Sequence, residues 1–193
     1  AYVLRAQCYR ALKQSDKALA DLTTVIANGG PPAVYVERAQ MHMDLGQFEE
    51  AISDCSRAIA AKSSLPAAHF IRGRARQMSK QFAEAIEDFD KVQEADPNNI
   101  LLYHDRARCH LALAHLNEAV DDATRVIEAL PDNAEAYDIR GQAHGMAGRY
   151  DQALADYNTA IRLAPKNPVF LLHRAAVYNA REELDKALEE CNQ

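Results

Sequence analysis

The sequence contains few of the residues that mark turns. Its 193 residues include only 7 glycines and 7 prolines, and tryptophan is absent. So few turn-forming residues argue against an all-β fold, in which many short strands are separated by turns. Alanine, the strongest helix former, is abundant instead. We therefore expect an all-α protein.

Membrane and export signals are also missing. No apolar run approaches the roughly 18 residues from which a transmembrane helix is predicted, and no signal-peptide pattern opens the sequence. The four cysteines lie too far apart for the paired spacing of a zinc site or a disulfide scaffold, and we expect them to be buried in helical core positions. Such usage is typical of a reducing compartment, so a cytoplasmic location is the default expectation.

Basic residues are outnumbered by acidic ones, 22 against 28, which gives a net charge of −6. A nucleic-acid-binding surface shows the opposite balance. We therefore expect a protein or peptide partner and no nucleic acid.

Arginine recurs at a nearly constant interval along the whole chain. Consecutive members are 33 residues apart once and 34 residues apart four times. Alanine stands thirteen residues after each arginine, and an acid follows three residues later. Self-similarity of this period is typical of helical repeat proteins. The six arginines are Arg5, Arg38, Arg72, Arg106, Arg140 and Arg174, and the acids are Asp21, Asp54, Asp88, Asp122, Asp156 and Glu190.

The residues around this register resemble the tetratricopeptide repeat (TPR) family. The fifth unit carries the pattern of that family as Tyr137, Gly141, His144, Ala153, Tyr157, Ala160 and Pro165. The resemblance implies an all-α, right-handed TPR superhelix, an α-α solenoid of antiparallel helix pairs. It covers the whole chain in the units 1–31, 32–65, 66–99, 100–133, 134–167 and 168–193.

These units predict one TPR array over 1–193. The last unit, 168–193, is incomplete, and no polar capping helix closes the array. We therefore expect the sequence to be part of a longer chain. Within each unit we predict two helices, with Asn99, Asn133 and Asn167 at N-cap positions.

The arginine and the acid of each unit have two interpretations. An arginine ladder would bind acidic ligands, whereas internal ion pairs would hold the helices together. The presence of both residues in every unit favours the ion pairs, because a packed arginine is rarely buried alone. The sequence leaves open whether Arg72 pairs with Asp88 of its own unit or with Asp54 of the preceding one. The predicted structural ion-pair residues are Arg38, Asp54, Arg72, Asp88, Arg106, Asp122, Arg140 and Asp156.

In TPR proteins the first helices line a concave groove that commonly holds the ligand. The resemblance implies that repeat positions 2, 5, 6, 9, 12 and 13 supply this surface. Phe70 is the notable member, since a large apolar side chain at a groove position can anchor a partner, with Arg74 and Arg108 as donors to carboxylate or backbone oxygens. The predicted groove residues are Gln40, Phe70, Arg74, Gln77, His104, Arg108, Asp138, Gln142 and His173.

No catalytic or cofactor-binding motif appears in the sequence. It lacks HExxH, a P-loop, GxGxxG and GxSxG, and its histidines do not have metal-ligand spacing. We therefore predict no enzyme activity, no cofactor and no metal site.

The favoured function is a non-enzymatic scaffold or adaptor that binds a peptide or helical segment of a partner in the groove. The main alternative is a regulatory or oligomerisation segment of a larger multidomain protein or enzyme, and self-association through the exposed terminal repeat is a further one. A chaperone-associated adaptor is less favoured. Its carboxylate clamp needs lysine at repeat position 5 and asparagine or arginine at position 6, and this chain has none at those positions.

Overall fold

The structure, a computed structural model, describes residues 1–61 and 65–191. Over these residues the chain forms twelve α-helices and no strand. The predicted unit 32–65 includes residues 62–64, and the predicted unit 168–193 includes residues 192 and 193; these five residues lie outside the described part of the chain. The helices are α1 (Tyr2–Ala11), α2 (Ser15–Ala27), α3 (Ala33–Asp44), α4 (Phe48–Ala61), α5 (Pro66–Met78), α6 (Phe82–Ala95), α7 (Ile100–Ala112), α8 (Leu116–Ala129), α9 (Ala134–Met146), α10 (Tyr150–Leu163), α11 (Pro168–Ala180) and α12 (Leu184–Cys191).

Odd-numbered helices are the first helices of the repeat units, and even-numbered helices are the second. Each first helix packs against the second helix that follows it. The chain divides into two compact units, Ala1–Asn98 with α1 to α6 and Asn99–Gln193 with α7 to α12. Within each unit a second helix also packs against the next first helix, so that neighbouring pairs form a continuous core.

Small residues allow the two helices of a pair to approach closely. The alanine that follows each arginine by thirteen residues is fully buried in five of the six pairs, as at Ala85 and Ala153. Gly73 and Gly141 face the large rings of Phe89 and Tyr157. A Cβ built on either glycine would lie only 2.9 Å from a ring carbon. These glycines are therefore required by packing, because no side chain fits between helix and ring.

The turn inside each helix pair contains one residue in the left-handed region. Gly46 and Gly148 occupy it with φ of +72°, a conformation that glycine adopts without a Cβ penalty. Four other pairs place non-glycine residues there, which costs each turn some strain. They are Lys13, Lys80, Ala114 and Glu182.

The predicted N-cap positions are occupied as expected, but the three asparagines do not all use their side chains. Asn133 accepts a hydrogen bond from the backbone N–H of Ala136, and Asn167 accepts one from Val169, each at 3.1 Å. Asn99 precedes α7 without a side-chain cap bond. Proline occupies the first turn of α5 and α11, where its missing N–H costs nothing.

The expectation that all four cysteines are buried is wrong for two of them. Cys55 and Cys109 are buried, and burial raises the pKa of the Cys55 thiol to about 12. Cys8 and Cys191 occupy the same two repeat positions but are exposed. Among the described residues, α1 packs only against helices that follow it and α12 only against helices that precede it.

Every helix in the described part of the chain falls short of the length and apolar character that a membrane crossing requires.

Candidate functional site

The repeated arginine binds the acid of its own helix pair. In the five pairs with aspartate, Nε and Nη2 each donate to a different carboxylate oxygen over 2.6 to 3.0 Å. In the sixth, Arg174 Nη2 donates to both oxygens of Glu190. The alternative that the sequence left open is thereby decided at Arg72, which pairs with Asp88 of its own unit. The hydrogen bonds to Asp54 and Asp156 raise the pKa of Arg38 and Arg140.

The third nitrogen of the same guanidinium reaches back to the preceding helix pair. Nη1 of Arg72 donates to Ser56 Oγ at 3.0 Å, and Nη1 of Arg140 donates to Thr124 Oγ1 at 3.2 Å. Each arginine therefore connects three helices and fixes how consecutive pairs stack. Arg38 donates likewise to Thr23, and Arg174 to Asn158.

Sequence reasoning missed these acceptors, although a signal was present. They all occupy repeat position 25, two residues after the acid that pairs with the arginine, and each of the first five repeat units carries a short polar residue there. The members are Thr23, Ser56, Asp90, Thr124 and Asn158.

The first of the two compact units, Ala1–Asn98, contains four of the predicted groove residues, on α3 and α5. Gln40 donates to Asp44 on its own helix at 3.0 Å. Phe70 is half-buried and packs its ring 6.1 Å from the ring of Phe89. The exposed guanidinium of Arg74 lies 5.9 Å from the centroid of Phe70, a cation–π distance. Gln77, one turn further along α5, is half-buried.

The second compact unit, Asn99–Gln193, is called the second unit from here on. It brings three of its five predicted groove residues into one hydrogen-bond network. Asp138 on α9 is 8 % exposed, and its two oxygens accept from two different side chains. His173 Nδ1 lies 2.6 Å from Oδ1, and Gln142 Nε2 donates to Oδ2 at 2.8 Å. A carboxylate only accepts, so Nδ1 of His173 must carry the proton of this bond. Asp138 therefore fixes the orientation of both neighbouring side chains.

The other two predicted residues of this unit lie on α7. His104 Nε2 is 3.3 Å from the carboxylate of Glu135, which projects from α9. Arg108 is exposed and makes no hydrogen bond or ion pair with any residue in the described part of the chain. It is therefore available as a donor to a ligand.

The helices α7, α9 and α11 are the first helices of the second unit, and the side on which their predicted groove residues lie is called the first-helix face. Two adjacent pockets open on this face. The larger pocket has a volume of about 500 Å³, and we call it the Arg108 pocket. The smaller pocket has a volume of about 280 Å³, and we call it the Ala176 pocket. They share Gln142 and Met146 on α9, which are one helical turn apart. The Arg108 pocket is lined by Arg108, Leu111, Ala112, Glu135, Asp138, Ile139, Gln142, Met146, Asn167, Val169 and Phe170, and the Ala176 pocket by Gln142, Gly145, Met146, Tyr150, Tyr157, His173, Ala176, Val177 and Ala180.

Several of these lining residues were not predicted. Glu135 and Val169 occupy repeat position 2, which the resemblance assigns to the groove, so the register contained the signal for them. Tyr150 and Tyr157 come from a second helix and could not be assigned to this face from first-helix positions alone.

Histidines of the second unit differ in how their environment shifts their pKa. The hydrogen bond to Asp138 raises the pKa of His173. Burial lowers the pKa of His144 and His110, because the charged imidazolium loses hydration. Burial also raises the pKa of the Tyr157 phenol, whose ring lies 6.1 Å from that of His173.

No three or more histidine, cysteine or acidic side chains are arranged to hold a metal ion within residues 1–61 and 65–191.

Comparison with solved structures shows the same fold. MamA 41-end from Desulfovibrio magneticus RS-1 is 20% identical, with a TM-score of 0.78 over 83% of this chain and 91% of that one. A tetratricopeptide repeat protein from Parabacteroides merdae ATCC 43184 is 15% identical, with a TM-score of 0.84 over 98% and 75%. YrrB, described as a TPR protein with an unusual peptide-binding site, is 20% identical, with a TM-score of 0.74 over 88% of each chain.

Sequence comparison with curated proteins gives no match. Profiles of the tetratricopeptide repeat, however, match residues 3–66 and 36–100, residues 77–143 and residues 134–167. Together with the twelve helices and their pairing, these matches show that the chain belongs to the tetratricopeptide repeat family.

Proposed function

We propose that this chain is a non-enzymatic scaffold that holds a segment of a partner protein against its first helices. The observation that carries the proposal is the first-helix face of the second unit. There, two pockets adjoin a network in which the buried Asp138 orients the half-buried Gln142 and His173. Side chains held in one orientation before binding lose little entropy when a ligand arrives.

The composition of this face suits a polypeptide ligand better than a small metabolite. Both pockets are open and mix apolar walls with a few polar groups, and Met146 is 58 % exposed between them. Exposed methionine is typical of surfaces that adapt to a peptide. The peptide-binding site described for YrrB supports this proposal by analogy of fold.

The repeated arginines contribute to the proposed function because they stiffen the stack of helix pairs. Four of them connect their own pair to the preceding one, so we expect the first helices that they join to keep their spacing when a ligand binds. We place the scaffold in the cytoplasm, since all four cysteines are unpaired thiols.

Affinity capture from a native lysate tests the proposal. The bait is compared with an Arg108→Glu/Met146→Glu variant on the first-helix face. A matched control, Arg162→Glu/Ala155→Glu, places the same charge changes on exposed positions of α10. We expect at least one protein to be retained by the wild type and the control and lost by the face variant. Retention of the same proteins by all three would contradict the proposal.

Self-association is a second candidate, favoured by α12. None of its residues is buried, and Leu184 and Leu188 are exposed at 57 % and 63 %. We propose that this apolar stripe contacts a second copy of the chain. Sedimentation should then show a dimer that dissociates on Leu184→Glu/Leu188→Glu substitution, whereas a wild-type monomer at all concentrations excludes it.

A further inference from the structure

The two pockets of the second unit differ in what they offer a ligand. In the Arg108 pocket Asp138 already accepts from His173 and Gln142, and a carboxylate oxygen of Glu135 lies 3.3 Å from His104 Nε2. Arg108 alone has no partner among the described residues. The unmet requirement of this pocket is therefore an acceptor with negative charge, and a carboxylate suits a guanidinium best.

The Ala176 pocket is mainly apolar. Its lining includes the aromatic residues Tyr150 and Tyr157 and the small residues Gly145, Ala176 and Ala180. Such a space suits a medium or large apolar side chain.

A departure from the repeat creates this smaller pocket. Ala176 occupies repeat position 9, where every other unit carries a long polar side chain. Glutamine or arginine at 176 would project into the space that the alanine leaves open. The position-9 residues of the other units are Gln7, Gln40, Arg74, Arg108 and Gln142.

The junction between the pockets offers a backbone acceptor. Gln142 Nε2 is held by Asp138, so its amide orientation is fixed and Oε1 is directed away from that carboxylate. Oε1 has no partner within the described residues and can accept a peptide N–H. Asp138 is thus a positioning residue for the ligand contact.

Resting on the proposed function, we propose that this face recognises an extended peptide with an acidic side chain and an apolar side chain. The acid binds Arg108, and the apolar side chain enters the Ala176 pocket. One extended segment can reach both pockets because Gln142 and Met146 line each of them.

A displayed library of random dodecapeptides provides the probe. Peptides selected on the wild-type protein should share the acid and the apolar residue at one constant spacing. A labelled consensus peptide is then titrated by fluorescence polarisation. We expect Arg108→Glu to weaken binding about 10-fold or more, since a charge-assisted hydrogen bond is lost and repulsion replaces it. Replacing the peptide acid by lysine should restore affinity to the Arg108→Glu variant.

Occlusion of the smaller pocket tests the second contact. Ala176→Gln introduces the side chain that Gln142 carries at the same repeat position, so the fold should tolerate it. We expect about 10-fold weaker binding, because an apolar side chain stays in water. The controls Ala155→Gln and Arg162→Glu, on α10, should bind like the wild type.

Failure of this inference is distinguishable from failure of the proposed function. Binding that is lost in Met146→Glu but unchanged in Arg108→Glu and Ala176→Gln overturns the acid-and-apolar rule and leaves the face as the binding surface. Binding unchanged in all three variants, or no enriched peptide family, overturns both.

Discussion

Arg140 Nη1 donates a hydrogen bond to Thr124 Oγ1, 16 residues earlier and in the preceding helix pair. The same guanidinium binds Asp156 of its own pair through Nε and Nη2. One side chain therefore carries both the contact within a pair and the contact between pairs. Wherever an arginine makes both contacts, the spacing between neighbouring first helices depends on that arginine.

Removal of the acid should be far more damaging than removal of the hydroxyl. Asp156→Ala leaves the Arg140 guanidinium, mostly buried, without its counter-ion, and we expect a loss of about 2–4 kcal/mol in unfolding free energy. Thr124→Val removes one hydrogen bond and should cost about 0.5–1.5 kcal/mol. Urea unfolding followed by circular dichroism measures both. Arg162→Ala, on exposed surface, is the control, and equal losses in all three variants would contradict this account.

Much of this architecture could be predicted from the sequence. The arginine register and the resemblance gave helix pairs whose observed bounds lie close to the turns marked by Gly46 and Gly148. The partner of Arg72 could not be predicted, because Asp54 and Asp88 both lie about one helix away in sequence, Asp54 before it and Asp88 after it. Only packing decides which carboxylate lies beside the guanidinium.

The candidate site was less accessible to sequence reasoning. Asp138 and His173 are 35 residues apart and meet because α11 packs beside α9. Repeat positions placed both on the first-helix face, but their hydrogen bond depends on side-chain rotamers. Exposure of Cys8 was also missed, since burial at a repeat position depends on having neighbours on both sides.

Glycine at 141 should be sensitive to a single methyl group. Gly141→Ala places Cβ 2.9 Å from Tyr157 Cε1, so the ring must shift, and we expect a net loss of about 1–2 kcal/mol after the gain in helix propensity. Gly145→Ala is the matched control on the same helix. Its Cβ would make an ordinary contact with Val177 at 3.4 Å, so it should be neutral or stabilising. Thermal unfolding of both variants checks the contrast, and a stabilised Gly141→Ala would refute it.

Two histidines of the second unit should respond to pH with opposite sign. Burial lowers the pKa of His144 from 6.5, so the unfolded state binds a proton first and stability falls as pH decreases from about 6.5 through the lower folded pKa. The hydrogen bond to Asp138 raises the pKa of His173, so its contribution is fully present below about 6.5 and is lost as pH rises through the higher folded pKa.

Unfolding free energy measured between pH 5 and 8 separates these effects. His144→Gln should reduce the loss of stability on acidification, and His173→Gln should increase it. Slopes that change in the same direction in both variants would contradict the assignment.

Helix capping should differ between two equivalent asparagines. The side chain of Asn133 satisfies the N–H of Ala136, so Asn133→Ala should cost about 0.5–2 kcal/mol. Asn99 makes no side-chain cap bond, and Asn99→Ala should stay within about 0.5 kcal/mol of the wild type. Chemical denaturation of the two variants in parallel measures the difference. Equal costs would show that the cap bond at Asn133 contributes nothing.

A partner that binds on the first helices of the second unit should lie within reach of Met146. Site-specific photo-cross-linking tests it most directly, with a benzophenone amino acid placed at Met146 on the face or at Ala155 on α10, both exposed. Irradiation in a native lysate, followed by mass spectrometry, identifies adducts. We expect a discrete partner adduct from position 146 that is absent from position 155. Adducts from 155 alone, or none from 146, would contradict it.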